Sequence, residues 1–147
     1  PLKEAHEMLI RLLFPENYPE NQRWNLREDD RNFIIRSLEK SPKELENGQY
    51  KDGKKYPDNI YKYFISGRRI VNQTTITSTG KIGISYGFTS EVAQIKDVKN
   101  NFNFILSMVI YTNENDIVND GDYEYESIAR PFFFKVSELL YNYGARP

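Results

Sequence analysis

Leu2, Ala5, Met8, Leu9, Leu12 and Leu13 recur at i, i+3 and i+4 spacing. They form one apolar stripe, which predicts a helix at the start of the chain. Pro15, Asn17 and Pro19 stop it. Asn25 reads as the N-cap of a second helix, with Glu28 three residues on and acidic residues filling the first turn. That helix is expected to bury Leu26, Phe33, Ile34 and Leu38 and to end before Pro42. Residues 41–57 are polar and read as a loop. Pro57-Asp58 opens a short third helix with Ile60, Tyr63 and Phe64 on one side, closed by Gly67.

Past Gly67 the pattern shortens. Thr74 to Ser78 is β-prone, and Tyr86 to Ile95 alternates loosely with Phe88, Val92 and Ile95 among its apolar positions. Lys99-Asn100-Asn101 reads as a turn. Phe102 to Thr112 is a β-branched and aromatic run that predicts a well-buried strand. Strand, tight turn and strand imply an antiparallel meander. An acidic loop fills 113–125. A helix from about Glu124 to Tyr143 is predicted to turn Ile128, Phe132, Val136, Leu139, Leu140 and Tyr143 inward. Pro131 should kink or restart it, and Gly144 stops it. The whole reads as α+β. A helical part covers 1–66; a three-stranded antiparallel sheet and a C-terminal helix cover 67–147.

Composition narrows the function classes. The chain has 147 residues, about one domain, and 14% are aromatic, with 11 Tyr and 9 Phe. A formal net charge of −1 makes no global case for nucleic acid. With no cysteine there is neither a disulfide framework nor a thiolate nucleophile, which suits an oxidising compartment. No apolar run is long enough to span a bilayer. The chain opens Pro1-Leu2-Lys3 rather than with Met, as a piece of something longer would.

The most informative stretch is Lys81-Ile82-Gly83-Ile84-Ser85-Tyr86-Gly87, followed by Phe88-Thr89-Ser90-Glu91-Val92-Ala93-Gln94-Ile95. It resembles the K-[ST]-G strand of the class A β-lactamase and penicillin-binding-protein-like serine hydrolases, which continues into Y-G-x-x-N-D-x-A-x-I. Tyr86-Gly87 and Val92-Ala93-Gln94-Ile95 fit that pattern, and Ser90-Glu91 stands where it has Asn-Asp. A hairpin, a long apolar strand and a C-terminal helix then follow in the family's order. The resemblance covers most of residues 20–143. It implies the C-terminal portion of such a hydrolase, with a partial β-lactamase/transpeptidase-like fold.

That likeness implies roles. Lys81 would be the cleft cation, able to hold a substrate carboxylate and to lower the pKa of a neighbouring hydroxyl. Gly83 keeps the strand thin, and the Ile84 backbone N–H would be an oxyanion donor. Ile82, Gly83 and Ser85 would line the bound substrate, a peptide or a β-lactam-like ligand paired with the strand edge. No cofactor or metal is called for. The likeness also places the protein in the periplasm or cell envelope.

Two departures limit what the chain does alone. The family's hydroxyl residue is Ile82 here, which removes one donor. An alternative frame on Ser78-Thr79-Gly80 loses the Lys altogether. Acylation needs S-x-x-K; Ser37-Leu38-Glu39-Lys40 matches the string but falls near the end of a polar-surfaced helix and reads as a solvated pair. Neither a Ser-Asp-Asn nor a Ser-x-Asn motif occurs in the helical half, and Asn25 follows Arg23-Trp24 where a deacylating Glu would be wanted. The chain alone is therefore expected to be inactive. In the family fold an N-terminal segment adds two strands and a helix to this sheet. Strand 102–112 is then expected to show a bare hydrophobic edge and to take a partner: that missing part, a second copy, or a swapped segment. The alternative to a hydrolase is a non-catalytic module that binds peptide, glycan or protein.

Three other features read as structural. His6, the only histidine, reads as a helix-surface residue. The acids Glu114, Asp116, Asp120, Asp122, Glu124 and Glu126 match an EF-hand template at Asp120 and Gly121 but fail it at Val118 and Ser127, so they read as a solvated loop. Tyr50 to Arg69 interleaves tyrosines with Lys51, Lys54, Lys55, Lys62, Arg68 and Arg69 and reads as a cationic surface over half-buried rings.

Overall fold

The computed structural model describes residues 1–45, 48–57, 60–66 and 75–144. Its regular elements are α1 (Leu2–Leu13), α2 (Glu28–Glu39), β1 (Ile76–Ser85), β2 (Phe88–Asp97), β3 (Phe102–Tyr111) and α3 (Arg130–Gly144). The strands form one antiparallel sheet in the order β1-β2-β3, so the α+β meander expected from the sequence is present.

The hairpins are set by their turns. Ser85 pairs with Phe88, leaving only Tyr86 and Gly87 in the first turn. Both have positive φ, 49° and 85°, as a two-residue turn matched to strand twist requires. Tyr86-Gly87 is thus the turn itself, and the second strand starts at Phe88 rather than at Tyr86. The Gly87 N–H donates to the Tyr125 hydroxyl at 2.7 Å, which ties this turn to the start of the last helix. At the second turn Asp97 accepts the N–H groups of Lys99 and Asn100, at 3.1 and 3.3 Å, and the Tyr141 hydroxyl of α3. These donors, Tyr141 foremost, hold the Asp97 carboxyl below the usual range.

Alternation on β2 divides the sheet into two faces. Thr89, Glu91, Ala93, Ile95 and Asp97 are all buried on one face. There Ala93 and Ile95 meet Ile82 of β1, the turn Tyr63–Ile65, and Phe133 of α3. The Phe64 and Phe133 rings stack with centroids 5.4 Å apart. Gly80 sits opposite Ala93 on this face, and a Cβ there would run into the Ala93 side chain and the Val92 carbonyl. On the other face lie Lys81, Gly83, Phe88, Ser90, Val92 and Val109, beneath α1 and α2. Arg31 of α2 donates to the Leu12 and Leu13 carbonyls at 2.8 and 2.9 Å and satisfies the end of α1.

Several expected details differ. α2 begins at Glu28, and Arg27 precedes it with no side-chain cap, so Asn25 does not cap. Leu26 lies before the helix, and Phe33 is 67% exposed because α2 covers the sheet with Ile34 and Leu38 instead. The third helix is a short 3-10 turn at Tyr63–Ile65 within the described residues; Asp58 and Gly67 lie outside them. The last helix does restart at Pro131: a π-helical turn, Tyr125–Ala129, runs into α3. Its buried stripe is Ala129, Phe133 and Ser137, one residue round from the expected Ile128 and Phe132. One residue is about 100° of helix, so Leu139 and Tyr143 face outward at 69% and 78% exposure.

Gly80→Ala is expected to destabilise the fold by about 1–3 kcal/mol through overpacking between β1 and β2. Urea unfolding followed by circular dichroism measures it; an unchanged midpoint would show that β1 can move away without cost.

Candidate functional site

Between the α1/α2 layer and the sheet lies a groove of about 700 Å³. Its walls are mostly aliphatic, with Leu9 and Leu12 from α1, Leu38 from α2 and Val92 from β2, and Trp24 also lines it. Lys81 is the only Lys or Arg that lines it among the described residues. The Lys81 ammonium donates to its neighbour's carbonyl, Ile82 O, at 3.0 Å.

Register explains where that ammonium lies. Ser85 and Phe88 flank a two-residue turn and form a hydrogen-bonded pair, so the next pair, Ile84 and Thr89, is not hydrogen-bonded. The backbone groups of Ile84, Ile82, Gly80 and Ser78 therefore point away from β2, toward the edge of β1 that no other described strand pairs with. The bonds from lysine ammoniums to Ile82 O and Ser78 O agree with this. The edge thus presents the Lys81 cation and the Ile84 N–H along one line.

The residues expected at the site divide. Lys81, Ile82 and Gly83 line the groove, Gly83 close against Ser90. The Ile82 side chain, however, packs into the core of the opposite face, so only its backbone edge is available to a ligand. Ile84 and Ser85 do not line the groove; the Ile84 side chain borders a second pocket on the other face. Ser37 lies outside the groove and donates to Phe33 O at 2.8 Å, back along its own helix, as a solvated position does. His6 is half-buried rather than on the surface, with Nδ1 2.6 Å from the Ser107 hydroxyl of β3.

The sequence reading missed a buried base and a buried acid that tie the Tyr63–Ile65 turn to α2 and the sheet. Lys62, counted above among surface cations, is 8% exposed. Its ammonium donates to Leu38 O at the end of α2, 2.8 Å, and to Ser78 O of β1, 2.6 Å. Glu91 of β2 is 1% exposed and accepts the Phe64 N–H at 3.0 Å. Burial pushes its carboxyl up to about 8, against the pull of the backbone N–H groups of Phe64 and Tyr63 and of the Lys62 charge. Burial likewise lowers the Lys62 ammonium, while Glu91, Glu39 and Glu44 oppose the shift. The signal in the sequence was a lone acid on a strand whose i±2 neighbours are all inward-facing.

The acidic loop spends its polar groups on itself. Asn115 donates to Asp120 at 2.8 Å, the Asp122 N–H to Asp120 at 3.0 Å, and the Asn119 N–H to the Tyr123 hydroxyl at 2.6 Å. Among the described residues no three metal-ligating side chains converge. In the Tyr50–Arg69 stretch, Tyr50 and Tyr56 meet edge-on with Lys55 over the Tyr56 ring; Arg68 and Arg69 lie outside the described residues. No described helix is long and apolar enough to cross a membrane. No protein-family model, curated protein or solved structure matches the chain.

Glu91 makes stability depend on pH. Unfolded, the group titrates near 4.5; folded, near 8. The folded state keeps the proton longer, so the contribution is complete below the lower value and disappears as pH rises through the higher one. Urea unfolding at pH 5 and pH 8 is expected to show this loss, and Glu91→Gln should flatten the difference. Equal slopes in the two proteins would place the titration elsewhere.

Proposed function

We propose that this chain is the C-terminal portion of a β-lactamase-like serine hydrolase of the periplasm or cell envelope, acting by acyl transfer on a peptidoglycan-type peptide or a β-lactam. The observation that carries the reading is Lys81, a cation on a strand edge that no other described strand pairs with, beside a groove walled by two helices. Here a substrate carboxylate would meet the ammonium, an extended peptide would pair with the backbone edge, and the Ile84 N–H would donate to an oxyanion. The Tyr86-Gly87 turn, the meander and the closing helix stand in the order that the resemblance requires.

Among the described residues no Ser–Lys pair of the S-x-x-K kind stands at the groove: Ser37 lies outside it, and the Ser90 hydroxyl, which does line it, donates to Gly83 O. The nucleophile belongs to the missing N-terminal part of the same protein. β3 has no neighbour on its outer side among the described residues, and Phe102–Tyr111 contains no charged residue. Such an edge favours strand addition, by that N-terminal part or by a second copy. The lack of a nucleophile also favours a second reading, a module that binds peptide, glycan or protein without turnover.

The test is covalent labelling of the full-length protein with a fluorescent penicillin. The parent is expected to label, and Lys81→Ala to label about 100-fold more slowly, the size of effect expected for one oxyanion-type interaction. Ser37→Ala should label like the parent. Unchanged labelling of Lys81→Ala removes Lys81 from the site; a parent that binds an acyl-D-Ala-D-Ala peptide but never labels leaves the binding module.

A further inference from the structure

The face of the sheet opposite the Lys81 groove carries a second pocket, of about 370 Å³. It lies beyond the Ile84 end of β1, and four tyrosines line it: Tyr61, Tyr63, Tyr123 and Tyr125. Two observations describe their chemistry. Tyr123 and Tyr125 stand with ring centroids 5.2 Å apart and planes at 37°, and Tyr61 is 47% exposed, so aromatic surface faces the opening. At the pocket wall, Glu126 accepts the Tyr63 hydroxyl at 3.1 Å and Arg130 at 2.8 Å, while the Arg130 guanidinium lies over the Tyr63 ring at 5.3 Å. The wall thus already holds one cation between a tyrosine face and a carboxylate.

The surroundings select the sign of a ligand. Residues 113–126 contain six acids and no Lys or Arg, and this segment supplies Tyr123, Tyr125 and Glu126 to the pocket. Of those acids Glu126 lines the pocket, paired with Arg130, and the other five stand on the adjoining segment, a surrounding that favours a cation over a neutral ligand. The turn is also fixed rather than loose, because the Tyr125 hydroxyl accepts the Gly87 N–H and the Tyr123 hydroxyl accepts the Asn119 N–H. The tyrosine hydroxyls are thereby anchored while ring faces remain for a ligand. The volume falls within the range of small-ligand pockets.

We propose that this pocket is a binding site for a small organic ammonium ion, held by the faces of Tyr61, Tyr123 and Tyr125 beside the Glu126 carboxylate. The site is independent of Lys81 and of acyl transfer. A quaternary ammonium suits it best: its charge is spread over methyl groups that pack on rings, and it demands no hydrogen-bond partner.

The test is titration of the chain with choline, followed by calorimetry and by shifts of the tyrosine ring resonances. The neutral isostere 3,3-dimethylbutan-1-ol, of the same shape, is the control. Choline is expected to saturate, with the isostere at least about 5-fold weaker, as one cation–π contact of about 1 kcal/mol implies. Tyr61→Ala should weaken choline by a similar factor, and Tyr61→Phe should restore it, since the ring face rather than the hydroxyl binds. Tyr61 is half exposed, so these variants fold; circular dichroism verifies it. Absence of saturation, equal binding of the isostere, or a Tyr61→Ala protein that binds as the parent does would each overturn the proposal.

Discussion

Glu91 sits at the middle of the central strand with its carboxyl group away from water. It meets the N–H of Phe64, while Lys62, two residues earlier in that segment, reaches the last turn of α2 and the carbonyl of Ser78. Lys62 and Phe64, two residues apart at one short turn, therefore engage β2, β1 and α2 together. Removing either partner would leave buried polar groups without compensation, which costs more than an ordinary hydrogen bond contributes. The turn carries Phe64 into the core, where it stacks on Phe133 of α3. Both helical layers are in this way referenced to one carboxyl on the sheet.

From that anchor follows a division of labour between faces. The face of Glu91 is filled by aromatic and aliphatic side chains, with Glu91 itself accepting the Phe64 N–H. The face of Lys81 is only partly covered: α1 and α2 lean on it and leave a groove. Lys81 and Ile82 are adjacent in sequence and serve opposite sides, one beside the groove and one within the core. The pleat alone produces that separation. The same alternation applied to backbone groups turns the Ile84 N–H toward the edge of β1 away from β2.

Much of the architecture was legible in the chain. The α1 stripe from Leu2 to Leu12, the β3 run from Phe102 to Tyr111 and the stop at Pro42 appear where their periodicity and punctuation place them, but β3 lies at the sheet margin and is only half-buried rather than well buried. Others were not. The helix after Asn25 starts two residues late because no side chain caps it and the charged first turn, Glu28 to Asp30, suffices. α3 is turned by one residue because the small Ala129 and Ser137 allow close approach of the stack around Phe133, whereas Ile128 and Phe132 are too large for it. Hydrophobicity marked the larger side chains as inward; packing volume chose the smaller ones.

The sequence by itself determined the local alternatives: periods of 3.6 and 2, a turn at Lys99-Asn100-Asn101, and a cation following the helical half. These are decided by bonds and sterics among near neighbours. Only the tertiary structure decided which charges leave water. Lys62 and Lys81 look alike as letters, yet one is sealed between α2 and β1 and the other borders a groove. Desolvation depends on elements brought together from across the chain, and no spacing along it records that.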